Sequence, residues 1–185
     1  MWSYVCSEEA EKFVRFEFIG PFQLFICMKI AFYRGTGIIN RAIRFFSRGG
    51  YSHVAIILKD GSIIEAYPFK GVRRRSGIRD EIKNDTTIET YMVPASHEEC
   101  ISIEQFLIRQ LGKKYDYLSV FGFILYATKE SRKASQKWFC SELVFAAFQK
   151  ANINLLERVD AWKVSPSLLS YSPHINSVDR FIVEV

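Results

Sequence analysis

Two β-rich runs around a short turn, Tyr51-Ser52-His53-Val54-Ala55-Ile56-Ile57-Leu58 and Ser62-Ile63-Ile64-Glu65-Ala66-Tyr67 on either side of Lys59-Asp60-Gly61, constrain this chain more than any other stretch. Branched residues flanking Asp-Gly predict a hairpin, and hence an antiparallel sheet. The loop length then decides which side chains meet, because successive side chains point to opposite faces. A two-residue Asp60-Gly61 turn pairs Lys59 with Ser62 and throws Glu65 onto the face opposite His53. A three-residue loop with Gly61 left-handed pairs Leu58 with Ser62 and His53 with Tyr67. In that register, the expected one, His53 and Glu65 share a face as diagonal neighbours with Cβ atoms roughly 7–8 Å apart. A carboxylate there orients the imidazole and stabilises its charged form, leaving the other ring nitrogen for a thiol. Taken singly, each residue also fits a plainer role, a histidine at a strand start and a glutamate on a solvated face.

The thiol is offered far downstream, in Lys137-Trp138-Phe139-Cys140-Ser141-Glu142-Leu143-Val144-Phe145-Ala146-Ala147-Phe148. Ser141 and Glu142 read as helix-start residues, which places the Cys140 sulfur beside unpaired backbone amides at the positive end of the dipole. Cys140 is therefore a candidate nucleophile. The plainer role is that of a small buried hydrophobe between Phe139 and Leu143.

The rest of the chain reads as the frame for these residues. With 185 residues, 49% of them hydrophobic, the chain is sized for a single domain over 1–185, its first 34 residues forming a less defined N-terminal extension. Ser7 to Phe18 reads as a short amphipathic helix and Phe22 to Phe32 as a buried strand. Ile38 to Phe46 reads as a helix stopped by Gly49-Gly50. Thr86 to Pro94 alternates as a strand, and Ser96 opens a helix through about Leu111. Gly112 to Tyr117 reads as a loop, Asp116 as the cap of an apolar helix over Leu118 to Ala127, and Lys129 to Lys137 as a surface connection. Ser165-Pro166 starts a short last helix, and Phe181 to Val185 is a terminal strand. After Tyr67 the chain is expected to leave the sheet through a basic loop, Lys70 to Arg79, that borders the site. There Arg73 and Arg74 are candidate substrate-binding residues for an anionic ligand, and a solvated connection is the alternative. The formal charge of +5 permits an anionic partner without specifying one. The four cysteines form no CxxC pair, and a reducing cytoplasm is the expected location. His97 and Cys100 lie one turn apart, but two ligands make no metal site, and neither a metal nor a cofactor is expected. The apolar runs Phe18 to Tyr33 and Leu118 to Ala127 are interrupted or too short to span a bilayer.

Together, Tyr51-Ser52-His53-Val54, Ile64-Glu65-Ala66, Gly112-Lys113-Lys114-Tyr115-Asp116-Tyr117, Phe139-Cys140-Ser141-Glu142-Leu143 and Ser165-Pro166-Ser167 resemble the circularly permuted branch of the NlpC-type papain-like superfamily, and within it the YiiX-like proteins. The resemblance runs from about Gly35 to Pro173 with the motifs in family order. It implies an α+β permuted papain-like fold, an antiparallel sheet packed against the Cys140 helix, with a triad of Cys140, His53 and Glu65. Tyr115, in the Gly112 to Tyr117 motif, is a further candidate substrate-binding residue. The rival order, His174 and Asn176 after Cys140, lacks an apolar strand to carry the histidine. The implied activity is that of a cysteine hydrolase of amidase or peptidase type working through a thioester acyl-enzyme. Acyltransferases resembling lecithin retinol acyltransferase use the same chemistry and are the first alternative. The second is a non-catalytic binder of anionic ligands or a membrane surface. The expected substrate is a small molecule, peptide or lipid-derived compound, and no nucleic-acid motif is present.

Overall fold

A computed structural model describes residues 17–18, 24–82, 85–117 and 137–183. Their elements in chain order are β1 (Glu17–Phe18), β2 (Leu24–Arg34), α1 (Ile38–Phe46), β3 (His53–Ile57), β4 (Ile63–Tyr67), β5 (Gly71–Arg75), β6 (Thr86–Ala95), α2 (His97–Gln110), β7 (Lys114–Tyr115), β8 (Lys137–Trp138), α3 (Cys140–Lys150), a 3-10 turn (Ala161–Lys163), α4 (Pro166–Leu169) and β9 (Asn176–Val183). One antiparallel sheet runs in the order β5-β4-β3-β2-β6-β9, with β1 also paired to β2. The long apolar β2 is its spine, pairing with β3 along one edge and β6 along the other.

The hairpin adopts the three-residue loop. Ile56 lies opposite Ile64 and Ile57 opposite Ile63. The Leu58 N–H donates to the Ser62 carbonyl at 2.8 Å, and Gly61 takes the left-handed conformation at φ +80°. His53 and Glu65 are thereby set on one face.

Alternation divides the core in two. Phe32, Val54, Ile56, Ile64 and Ala66 pack with Leu143, Val144 and Ala147 of α3 in the larger cluster. Ala31, Tyr33, Ala55, Ile57 and Ile63 form a smaller one on the other face, closed by Ile78 and Ile82. Burying Phe139, Phe145 and Phe148 contributes about 2–3 kcal/mol each. That packing, rather than intrinsic helix propensity, holds α3 against β3 and β4.

Local signals account for the helix ends. Ser96 and Glu99 form a reciprocal capping box at the start of α2, and the Ser165 side chain caps α4 ahead of Pro166.

Four expectations are corrected. Residues 7–16 of the predicted first helix lie outside the described residues, but Glu17 and Phe18 form a strand on Leu24 and Phe25, because the free edge of β2 supplies backbone partners. The chain does not leave the sheet after Tyr67. Phe69 and Gly71, both at positive φ, reverse it into β5, whose Arg73 lies opposite Glu65. Gly71 is required there, since a Cβ would sit 2.3 Å from the Lys113 carbonyl oxygen. Finally, Lys114 and Tyr115 are not loop residues but pair in parallel with Lys137 and Trp138. The terminal strand β9 also begins earlier than predicted, at Asn176. The helix expected over 118–127 lies outside the described residues, as does the connection expected over 129–137 except for Lys137.

Candidate active site

Cys140 is the first residue of α3. Its N-cap, Phe139, is extended and has no side-chain acceptor, so no capping side chain shields the first-turn amides. The Ser141 hydroxyl donates to the Val164 carbonyl at 2.6 Å and fixes that turn to the chain beyond the 3-10 turn. The sulfur is buried, with 4% of the residue exposed.

His53 opens β3, where the strand and α3 both begin. Its Nε2–H donates to Glu65 Oε2 at 2.7 Å, and the Cys140 side chain lies close enough to act electrostatically on the ring. With Nε2 committed to the carboxylate, Nδ1 is the nitrogen left for sulfur. The rings of Tyr33 and Tyr67 flank the imidazole, with centroids 5.4 Å and 5.6 Å away. Burial lowers the His53 pKa, but the charge of Cys140, followed by the hydrogen bond and charge of Glu65, outweighs it and pushes it up to about 9.

Glu65 is fully buried on β4. Its Oε1 accepts from Arg73 Nε at 3.0 Å and from Arg75 Nε at 2.8 Å, while Oε2 accepts from His53. Arg75 also donates to the Tyr33 hydroxyl and to the carbonyls of Gly77 and Asp80, and Arg73 lies 4.4 Å over the Tyr67 ring and pairs with Glu81. A carboxylate this deep costs several kcal/mol unless it is compensated. Here burial raises its pKa, but His53 and then Arg75 outweigh that and bring it down to about 2.

Beside the histidine lies a cavity of about 530 Å³, mostly apolar, lined by Tyr33, Ser52, His53, Tyr67, Phe69 and Tyr115 among others. The Tyr115 phenol is buried, and its pKa is raised first by burial and next by the nearby Cys140 charge, so it stays a neutral hydroxyl.

The structure therefore brings Cys140, His53, Glu65 and Tyr115 together. It places Arg73 on Glu65 rather than in the cavity, and Arg74 on Asp60 and Ser62 at the hairpin turn. His174 is exposed in the turn before β9. Sequence reasoning set Arg75 in the basic loop at the site and missed its contact with Glu65, and it missed Tyr33 altogether. The signal for Arg75 was present: once 71–75 is read as a strand, Arg73 and Arg75 alternate onto the face of Glu65.

Over residues 33–169 the chain matches the family described as permuted papain-like amidase enzyme, YaeF/YiiX, C92 family. The chain belongs to this family. It is accordingly a cysteine hydrolase of the papain-like amidase kind, with the permuted fold expected from the order of its motifs. A solved structure described as metalloprotein yiiX from Escherichia coli O157:H7 is similar in fold, with a TM-score of 0.61 at 17% identity over 85% of this chain and 98% of that one. Comparison with curated protein sequences returns no match. Among the described residues no helix is long and apolar enough to cross a membrane.

Proposed function

We propose that Cys140, His53 and Glu65 form the catalytic triad of this amidase. The observation carrying the reading is His53 hydrogen-bonded to a buried carboxylate while Cys140, at a helix start, acts electrostatically on the same ring. The sulfur attacks the amide carbonyl, forming a C–S bond. His53 gives its proton to the departing amine as the C–N bond breaks. Water then attacks the thioester with His53 as base, the C–S bond breaks, and the thiol is restored. Glu65 orients the ring and holds its charge throughout. The Cys140 backbone N–H, at the uncapped start of α3, serves as one donor to the oxyanion. Tyr115, neutral and beside the sulfur, contacts the substrate from the cavity wall.

The solved relative is described as a metalloprotein. Among the described residues here no group of three or more His, Cys, Asp or Glu converges on one point, and both oxygens of Glu65 are engaged by His53 and arginine. The described residues at this site do not fit a metal, and no step is routed through one.

The test is a panel of amide, thioester and lipid ester substrates, with iodoacetamide labelling below neutral pH. Cys140→Ala is expected to abolish both turnover and labelling with the fold intact, and His53→Ala to lose nearly as much turnover, since residues acting as one unit are strongly non-additive. Unchanged labelling in Cys140→Ala, with a melting temperature several degrees lower, would mean that Cys140 is only a core residue.

A further inference from the structure

A second pocket, of about 390 Å³, opens beside the active-site cavity and is rimmed by Lys70, Lys113, Lys114 and Lys137. Its aromatic wall includes Phe69 and Tyr115, which also line the cavity beside His53, so these two side chains are the partition between the two spaces. We propose that this lysine-rimmed pocket is an anion-binding subsite, holding a phosphate- or carboxylate-type group of the substrate while its amide lies at Cys140. The inference rests on the amidase reading for its link to catalysis, but the anion site itself does not.

The first argument is register. The parallel pairing of β7 with β8 sets Lys114 directly opposite Lys137, and like charges in that position are destabilising. Nothing among the described residues relieves it. Lys70 is paired with Glu81, and the Lys113 ammonium donates to the neutral Gln110 side chain at 2.6 Å. No carboxylate of the described residues pairs with Lys113, Lys114 or Lys137. A bound anion is the partner that turns this arrangement from a cost into an attraction.

The second argument is the contrast in residue type. On its buried carboxylate, Glu65, the fold uses arginines. The pocket offers ammonium groups on flexible stems, which select charge rather than planar shape. Lys114 and Lys137 are exposed, so a ligand reaches them without rearrangement. Tyr117 meets Phe69 in a tilted contact and Tyr115 edge-on, with ring centroids 5.5 Å and 5.0 Å away, and its hydroxyl accepts from the Phe69 N–H. A substrate that straddles Phe69 and Tyr115 thus reaches the histidine cavity with one end and the lysines with the other.

The experiment has two arms. Calorimetric titration at low ionic strength with inorganic phosphate, and separately with succinate, reads the pocket without any turnover and separates the two anion types. Wild type is expected to bind at least one of them, with affinity falling roughly tenfold in Lys114→Gln/Lys137→Gln and falling again in both proteins at physiological salt. Lys59→Gln, on the hairpin turn, removes one lysine charge away from the pocket and should leave binding unaltered, while Lys114→Gln alone, the matching single change, should weaken it. In the second arm, two amides differing only by a distal phosphate against a neutral hydroxyl are compared. The phosphorylated amide should have the lower KM in wild type and lose that advantage in the double variant, with the neutral amide unaffected. Equal anion binding in wild type and double variant, or no advantage for the phosphorylated amide, overturns the subsite. Should neither amide turn over while phosphate binding remains sensitive to the two lysines, the amidase reading fails and the anion pocket stands.

Discussion

The arginines of β5 and the lysines of the second pocket carry the same charge within a short stretch of surface, yet the fold uses them in opposite ways. Arg73 and Arg75 turn inward onto Glu65, their side chains 15% and 2% exposed. Lys70, Lys114 and Lys137 stay in water. The planar, weakly hydrated guanidinium matches a carboxylate with two parallel donors and tolerates burial, whereas the compact ammonium keeps its hydration. What separates the two groups is what stands opposite each one. Glu65 faces Arg73 across the β4–β5 ladder, and among the described residues Lys114 faces Lys137.

The largest effect expected from breaking this contrast is at Arg75. Arg75→Gln leaves part of the Glu65 charge uncompensated in a dry site, at a cost of about 3 kcal/mol. For a chain of this size that lowers the melting temperature by about 6–12 °C. Arg75→Lys should recover only part of the loss, because an ammonium cannot reproduce the Nε contact to Oε1 and the contacts to Tyr33 and the Gly77 carbonyl together. Lys114→Gln/Lys137→Gln should by contrast leave the melting temperature unchanged or raise it slightly. Thermal unfolding of the three variants side by side checks this, and an Arg75→Gln protein as stable as wild type would show that the arginines are as dispensable to the fold as the lysines.

The pH dependence is the next largest effect. His53 sits at about 9 against an ordinary 6.5, so its charged form adds stability that is fully present below about 6.5 and is lost as pH rises through about 9. Glu65 sits at about 2 against 4.5, so its ionised form adds stability present above about 4.5 and lost as pH falls towards 2. Melting temperatures followed across both ranges should decline at each end. Glu65→Gln should flatten the acid decline and move the alkaline loss of turnover towards neutrality, because the imidazolium loses its carboxylate. The lysine double variant should leave both limbs where they are. Acid and alkaline limbs identical in Glu65→Gln and wild type would detach Glu65 from His53.

Much of the site could be read before any coordinates, and the reason is local. The hairpin register follows from one glycine: Gly61 supplies the left-handed residue that a three-residue loop needs, and this alone puts Glu65 beside His53. The start of α3 was legible from Phe139-Cys140-Ser141, and the start of α2 from the Ser96 and Glu99 pair. The strand β5 was not legible, because Lys70 to Arg75 has the composition of a solvated turn and becomes a strand only through the reversal at Phe69 and Gly71. The partners of Glu65 were lost with it, since they depend on that register. The β7–β8 pair was hidden for another reason, that it joins residues far apart in the chain, which no local pattern reports.

The smallest effect is expected at Arg74, which lies between the two behaviours. It belongs to the arginine strand but points to the far end of the hairpin, where its Nε donates to Ser62 Oγ at 2.8 Å and its guanidinium pairs with Asp60. Both partners of that ion pair are substantially exposed, at 43% and 56%, so solvent and salt screen it. Arg74→Gln should therefore cost about 0.5 kcal/mol, in the range of surface pairs. That is about 1–2 °C in melting temperature. Ser62 remains to hold Asp60 through its backbone N–H at 3.0 Å and its hydroxyl at 2.6 Å, which is why the turn should keep its shape. The KM for a phosphorylated amide should not change, because Arg74 reaches neither the histidine cavity nor the lysine pocket among the described residues. A rise in KM as large as that of the lysine double variant would show that the substrate extends to the hairpin turn, and would return the arginine strand to the role of an anion contact.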